Sequence, residues 1–511
     1  METQTATQSE VLYAALVARD ARFDGRFFVG VTSTGVYCRP VCRVRAPRRE
    51  NCLFFIHAAA AEKDGFRPCL RCRPELAPGT SAMEATARLA QCAARLIGAG
   101  LDDDATLEDL ARRLGTSDRH LRRTFIAHFG VTPIAYAQSQ RLLQAKRLLQ
   151  DTHLPVTEVA FAAGFRSVRR FNALLKERYG LSPRDIRGKH TAPHSLQNAL
   201  SDTFTVQMAY RAPFDWQGLL TFLSGRTVAG VDRVDDDSYV RAVRLKGATG
   251  EVEGHLRVRN DSVRNSLHVT LSSSLSHHVE FVLQCVARQF DLACDPCEVA
   301  RVLGPLARGR EGLRVPSAFD PFEASVRAIV GQQVSVKGAA TIAGRIATTF
   351  GPPLVTPYDG IDRLFPTPAT LAALDPSAIA ALGMPLARAR TIVTLAQAVQ
   401  TGHIDLENPV DVDATVAKLL ALPGIGPWTA HYLSMRALGW PDAFPAGDLG
   451  VRKAYALIDP ALGMKAREKD IEAYAERWRP WRSYATLHLW ASLESAPAPL
   501  PNARKKKEIR K

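Results

Sequence analysis

A multidomain α+β fold is what this sequence predicts, and three observations predict it. At 511 residues the chain exceeds the ~250 to 300 residues at which a single core usually stops growing. Five of its nine cysteines fall before residue 80, which marks a small unit held by something other than a large apolar core. The spacing of apolar residues then changes twice. It is helical over 81–188, alternates in short stretches over 203–315, and returns to helical spacing as far as 494. The expected order is a cysteine-held unit (1–80), an all-α domain (81–188), a linker (189–202), a mixed sheet–helix subdomain (203–315), a helical domain (316–494) and a basic tail (495–511).

Composition narrows the partners. The 66 Lys+Arg against 51 Asp+Glu leave a formal charge of +15, which favours a polyanion such as nucleic acid. No uninterrupted apolar run reaches the ~18 residues a membrane span needs, so a soluble cytoplasmic protein without a membrane partner is expected. The cysteines are too few and too clustered for a secreted disulfide framework, so their spacing points to metal or thiol chemistry.

In the first unit, Cys38 and Cys42 (CRPVC) and Cys69 and Cys72 (CLRC) form two pairs with 26 residues between them. Two such pairs converge on one tetrahedral ion, and zinc suits four soft thiolates. Spacing alone fits a purely structural zinc ribbon as well as a reactive centre. Cys52 and Cys92 lie outside the pattern and are expected in the core. The all-α region contains two similar helix pairs. Thr106 can cap the first helix, Gly115 turns the chain, and Ser117 can cap a second helix carrying Arg119, Arg122 and Arg123 with Leu121, Phe125 and Phe129 as its apolar stripe. The plan recurs with Gly164 as the turn and Arg166, Arg169 and Arg170 near the start of the next helix. Each pair can place a basic helix in a major groove. Alternation at 203–210, 240–245 and 255–258 predicts strands. In the last domain, LPGIG (Leu422, Gly424, Gly426) reads as a helix hairpin whose glycines let backbone N–H groups approach a phosphate, and a short loop carrying Asp448 follows. Trp216, Trp440, Trp478 and Trp481 are expected to pack in the core.

These motifs carry resemblances. TSTGVYCRPVCRVRAPRREN followed by GFRPCLRCRP resembles the zinc domain of the Ada adaptive-response family. The resemblance implies that Cys38 accepts a methyl group from a methylated DNA phosphate, that Cys42, Cys69 and Cys72 complete the zinc ligands, and that Arg45 and Arg67 hold neighbouring phosphates. The repeated helix pair, the helix over 134–149 and GLSPRDIR resemble the AraC-type DNA-binding domain. From 203 to 493, AFDPFEASVRAIVGQQVS, FPTP, LGMPLARA, LPGIGPWTAHY and ERWRPWRSYATLHLW are similar to AlkA-type 3-methyladenine DNA glycosylases of the helix-hairpin-helix superfamily. That similarity implies Asp448 as the catalytic carboxylate and Trp428, Tyr432 and Trp490 as the base pocket. Two positions depart from the pattern. Gln333 stands where the family carries an apolar wedge, and Leu449 where an aromatic often follows the aspartate. Trp428 stands where strand-cleaving relatives carry a Schiff-base lysine, which implies a monofunctional enzyme. No PCHR motif is present, so the glycosylase takes the place of the alkyl-guanine methyltransferase that usually completes an Ada protein.

Together the resemblances imply a glycosylase for alkylated bases joined to a methylphosphotriester sensor and transcriptional activator. Its partners would be damaged DNA, promoter DNA and RNA polymerase. A regulator whose glycosylase half only binds damaged DNA is the alternative.

Overall fold

The computed structural model describes residues 6–20, 23–77, 88–98, 106–188, 202–247, 250–407, 409, 411–461 and 463–494. The expected linker, apart from Asp202, and the whole basic tail lie outside the described residues. No helix among the described residues is long and apolar enough to cross a membrane.

The N-terminal unit is built on a four-stranded sheet of β1 (Phe28–Val31), β2 (Val36–Cys38), β3 (Cys52–Phe55) and β4 (Arg67–Pro68), in the order β3-β1-β2-β4. β2 pairs antiparallel with β1 and parallel with β4. This parallel pairing brings the chain just after Pro68 alongside Cys38, so the two cysteine pairs meet at one end of the sheet. Two small apolar clusters hold the unit together: Phe28, Tyr37 and Phe66 with Ala58 and Ala61 of helix Ala58–Lys63, and Leu16, Phe27, Val29 and Cys52.

Helices Leu107–Arg113, Asp118–Phe129, Pro133–Asp151, Val156–Ala162 and Val168–Tyr179 follow. The capping predictions hold. Thr106 and Asp109 form a reciprocal capping box, and the Ser117 hydroxyl accepts from the His120 N–H. Gly115 and Gly164 adopt φ +64° and +78° at the two turns, the region glycine enters without a Cβ penalty. Leu121, Phe125, Phe171 and Leu175 are fully buried, while Phe129 is half-buried. Cys52 and Cys92 are buried as expected.

A buried carboxylate ties this region to the cysteine unit. Glu62 accepts hydrogen bonds from Tyr37 of β2 (2.9 Å), Ser139 of helix Pro133–Asp151 (2.5 Å) and Tyr179 at the end of helix Val168–Tyr179 (3.1 Å). Nearby, fully buried Lys146 pairs with Glu75 at 2.7 Å.

The next region is a five-stranded antiparallel sheet of β5 (Thr203–Ala209), β6 (Asp232–Val234), β7 (Ser238–Gly247), β8 (Gly250–Asp261) and β9 (Ser266–Ser272), ordered β5-β9-β8-β7-β6. The three predicted stretches lie in β5, β7 and β8. One apolar cluster joins Leu142, Leu149, Phe171 and Ile186 of the preceding helices to Val206, Leu256, Val269 and Phe290 of the sheet region. Helices then dominate to Glu494. Trp216, Trp478 and Trp481 are buried and Trp440 is half-buried against the last core, so all four pack as expected.

Candidate functional site

The glycosylase-like half brings four predicted residues to one place. Helix Val412–Leu420 turns at Leu422-Pro-Gly-Ile-Gly into helix Pro427–Arg436. Gly424 sits at φ +87°, and a Cβ there would lie 2.1 Å from Thr391 Oγ1, so both conformation and space demand glycine. Gly426 is the extended N-cap, with open space where a side chain would project. Pro427 at the first helical position withholds no N–H that the helix needs. Exposed N–H groups at the start of a ten-residue helix suit a phosphate.

At the second position of that helix, the Trp428 indole N–H donates to Asp448 Oδ2 at 3.1 Å. The Trp490 indole N–H donates to Asp448 Oδ1 at 2.8 Å, and the Val451 backbone N–H donates to the same oxygen at 3.0 Å. Asp448 is therefore the N-cap of helix Leu449–Ile458, and both of its oxygens are oriented by donors from three elements. The side chain is half-buried. Tyr432 stacks on Trp428 with ring centroids 5.4 Å apart and planes at 21°. Half-buried tryptophans flanking a fixed carboxylate offer a slot for a flat ring beside a negative charge.

The two departures from the pattern are visible. Leu449 is 59% exposed and is not among the residues hydrogen-bonded to the Asp448 side chain. Gln333 is exposed at φ +56°, a left-handed conformation uncommon outside glycine. Its neighbour Gln332 donates to the Gly424 carbonyl (2.9 Å) and to Thr429 Oγ1 (3.0 Å), pinning this loop to the hairpin.

Sequence reasoning missed several residues here. Gly450 is required because a Cβ would stand 2.8 Å from Trp490 Cδ1 and 3.0 Å from Asp448 Oδ1. A glycine in the first turn of a helix is a propensity violation that could have flagged it. Phe222, Arg226 and Arg436 also surround Tyr432. The guanidiniums of Arg226 and Arg436 lie 3.7 and 4.7 Å from the Phe222 ring centre. Burial alone would raise the Tyr432 phenol, but Arg436, Arg226 and Arg327 outweigh it and hold it below its ordinary value.

At the other end of the chain, the four Sγ atoms of Cys38, Cys42, Cys69 and Cys72 lie within 4.8 Å of one another. Zn–S bonds of ~2.3 Å set tetrahedral sulfurs roughly 3.8 Å apart, so the quartet fits one ion. The Arg39 backbone N–H donates to Cys72 Sγ at 3.4 Å, and the Arg39 side chain is fixed by buried Asp24, with Nε to Oδ1 at 2.8 Å. A cavity of ≈ 630 Å³ opens beside Cys38, and Arg45 and Arg67 line it together with Arg19 and Arg71. In the helix pairs, Arg119, Arg122 and Arg123 project to solvent on one second helix, as do Arg169 and Arg170 on the other, with exposed Arg166 just before it. These six arginines do not join either of the other two sites.

The chain matches four family descriptions in succession. Residues 11–75 match the metal binding domain of Ada, 110–189 a helix-turn-helix domain, 205–320 the AlkA N-terminal domain, and 326–483 the HhH-GPD superfamily of base excision DNA repair proteins. A Mycobacterium tuberculosis protein named "Probable bifunctional transcriptional activator/DNA repair enzyme AlkA" is 39% identical over 95% of this chain and 96% of its own length. Escherichia coli DNA-3-methyladenine glycosylase 2 is 41% identical over 55% of this chain and 95% of its own length. The Bacillus subtilis bifunctional transcriptional activator/DNA repair enzyme AdaA is 31% identical over 34% of this chain and 81% of its own length. With an Ada-type zinc site, a helix-turn-helix region and a helix-hairpin-helix repair region in one polypeptide, the chain belongs to the family of bifunctional transcriptional activator/DNA repair enzymes of the AlkA type.

Proposed function

We propose that this protein hydrolyses the N-glycosidic bond of alkylated bases in DNA, and that its N-terminal half senses methylated DNA phosphates and activates transcription in response. The observation that carries the enzymatic reading is the Asp448 carboxylate, held between the Trp428 and Trp490 indole N–H groups beside the hairpin. The hairpin N–H groups and basic surface hold the backbone, and the damaged base rotates out of the duplex into the slot against Trp428 and Trp490. Stacking adds only ~0.5 to 2 kcal/mol for a cationic base. As the C1′–N bond breaks, its electron pair stays with the base and positive charge develops on the sugar, where Asp448 stabilises it. Water then adds to C1′ and loses its proton toward Asp448. The indole and backbone donors keep the carboxylate aimed, so little reorganisation accompanies the step. With Trp428 in place of a Schiff-base lysine, the product is an abasic site with an unbroken strand.

In the N-terminal half, Cys38, Cys42, Cys69 and Cys72 would hold zinc, which keeps thiolates deprotonated at neutral pH. Cys38 attacks the methyl carbon of a phosphotriester. An S–CH₃ bond forms, the O–CH₃ bond breaks, and the phosphate leaves as a diester anion. Arg45 and Arg67 face the same cavity and suit the neighbouring phosphates. The two arginine-bearing helices then read promoter DNA in adjacent major grooves, and RNA polymerase is the partner through which activation acts. The test incubates the protein with methylated DNA and counts free bases and protein-bound methyl groups in parallel. Released 3-methyladenine together with one methyl group per chain is expected. Release of neither base nor methyl transfer refutes the reading, and tight binding to damaged DNA without release favours a regulator.

A further inference from the structure

The helix that carries Trp428 also carries, at successive four-residue steps, Tyr432 and Arg436. At 1.5 Å per residue this stripe extends ~12 Å from the Asp448 partner to the guanidinium's Cα. Tyr432 stacks on Trp428, and the guanidiniums of Arg436 and Arg226, both set against the Phe222 ring, are the charges that most lower its phenol. Arg436 is only 8% exposed, and its Nε and Nη1 atoms are buried without a partner. Neither Arg226 nor Arg436 forms an ion pair among the described residues. Arg327, the third guanidinium near the phenol, is paired with Glu323 at 3.4 Å and donates to the Arg226 carbonyl. Two guanidiniums without a carboxylate partner among the described residues therefore stand over Phe222 beside this stripe, while the negative charge of Asp448 is held at its Trp428 end.

An unpaired buried cation is costly to the fold, and aromatic walls alone would serve a cationic base better without it. The arrangement makes sense if the useful quantity is the movement of charge. A base alkylated on a ring nitrogen carries a positive charge while it is bonded to the sugar. When the glycosidic bond breaks, its electron pair neutralises the base and the positive charge passes to the sugar, away from Arg226 and Arg436 and toward Asp448. Only an interaction that changes between ground and transition state raises the rate.

We propose that Arg226 and Arg436 form an electrostatic counterweight to Asp448, destabilising the bound cationic base relative to the transition state and thereby raising the rate of excision at some expense of binding. The inference rests on the glycosylase reading above. It assigns to these arginines a role through space, behind Tyr432, without contact to the reacting atoms. Burial lowers the Arg436 guanidinium only to about 10, so it remains charged at neutral pH.

The test uses the full chain under single-turnover conditions on duplexes carrying 7-methylguanine, a cationic base, or hypoxanthine, a neutral one that leaves as an anion. Arg436→Met and Arg226→Met should each lower the maximal excision rate of 7-methylguanine roughly three- to tenfold while the half-saturating enzyme concentration falls. With hypoxanthine the rate should fall without tighter binding. Arg436→Lys should restore most of the rate, and Arg436→Met should leave thermal stability unchanged or raised, because an unpaired buried charge is removed. Weaker binding at unchanged rate, no effect on either base, or loss of thermal stability without rescue by lysine would each overturn the proposal. Wild-type release and its absence in Asp448→Asn are read in the same assay. If the wild type releases neither base, the glycosylase reading fails; if it releases both and the arginine variants behave like it, only this inference fails.

Discussion

Glu62→Gln should change how the sensor half responds to pH. Glu62 is buried among Tyr37, Ser139 and Tyr179, one residue from Cys38 through Tyr37 and at the end of a basic helix through Tyr179. Burial raises its carboxyl from the ordinary 4.5 to about 7, even though the Ser139, Tyr37 and Tyr179 hydroxyls and the Arg178 charge pull the other way. The folded protein thus keeps a proton that the unfolded chain releases near pH 4.5. The stabilisation is complete below that pH and is lost as pH rises through about 7. At ~1.36 kcal/mol per pH unit between the two values, the loss comes to about 3 kcal/mol. Glutamine still accepts hydroxyl protons but cannot ionise, so it should cost about 1 kcal/mol at low pH and remove the slope. The two profiles should cross at about pH 5 to 6. Because the chain has several cores, the suitable readout is local: hydrogen exchange of peptides from helices Ala58–Lys63 and Pro133–Asp151 from pH 5 to 8, corrected for intrinsic rates. Wild-type protection that stays flat or rises with pH would refute the argument.

Three further outcomes are expected. Gly450→Ala places a Cβ against Trp490 and Asp448, so base release should fall at least tenfold while the urea midpoint of the last core changes by no more than about 2 kcal/mol equivalent; unchanged release would show that the indole contact is dispensable. Borohydride should trap no covalent DNA adduct, because no lysine occupies the Trp428 position. Methylation of Cys38 takes a four-thiolate zinc site from −2 to −1, worth roughly 3 to 4 kcal/mol at ~4 to 6 Å from a phosphate before screening; promoter affinity of the full chain should rise after exposure to methylated DNA, most at low salt, and should not change in Cys38→Ser.

Much of this architecture is legible in the sequence because local chemistry dictates it. Thr106, Ser117, Gly115 and Gly164 announce caps and turns by residue type, and the protein uses them as such. The cysteine pairs and the Leu422–Gly426 hairpin are equally local. Long-range pairing is not. Alternation marks β5, yet nothing in it says that β9, rather than the strands between, lies beside it. Glu62 sits in AAAAEK and reads as a solvated residue of a short helix; only the approach of Ser139 and Tyr179 makes it a buried hub. The same holds for Arg226 and Arg436, which meet over Phe222 from the turn after helix Trp216–Ser224 and from the end of helix Pro427–Arg436, far apart in the chain. Gly450 is the exception, since glycine just inside a helix after an aspartate cap is a visible anomaly.

The central claim is that the carboxylate held by Trp428 and Trp490 performs base excision. Its most direct test compares wild type and Asp448→Asn for release of 3-methyladenine from methylated duplex DNA under single-turnover conditions, with DNA affinity measured alongside. An asparagine can keep the cap, with its single oxygen accepting from Trp490 and Val451, but its amide nitrogen cannot accept from Trp428 and it carries no charge to set against the developing positive sugar. The account predicts that release falls by at least about a thousandfold, ~4 kcal/mol of transition-state stabilisation, with affinity changed by no more than about threefold. Release by Asp448→Asn at the wild-type rate would contradict it.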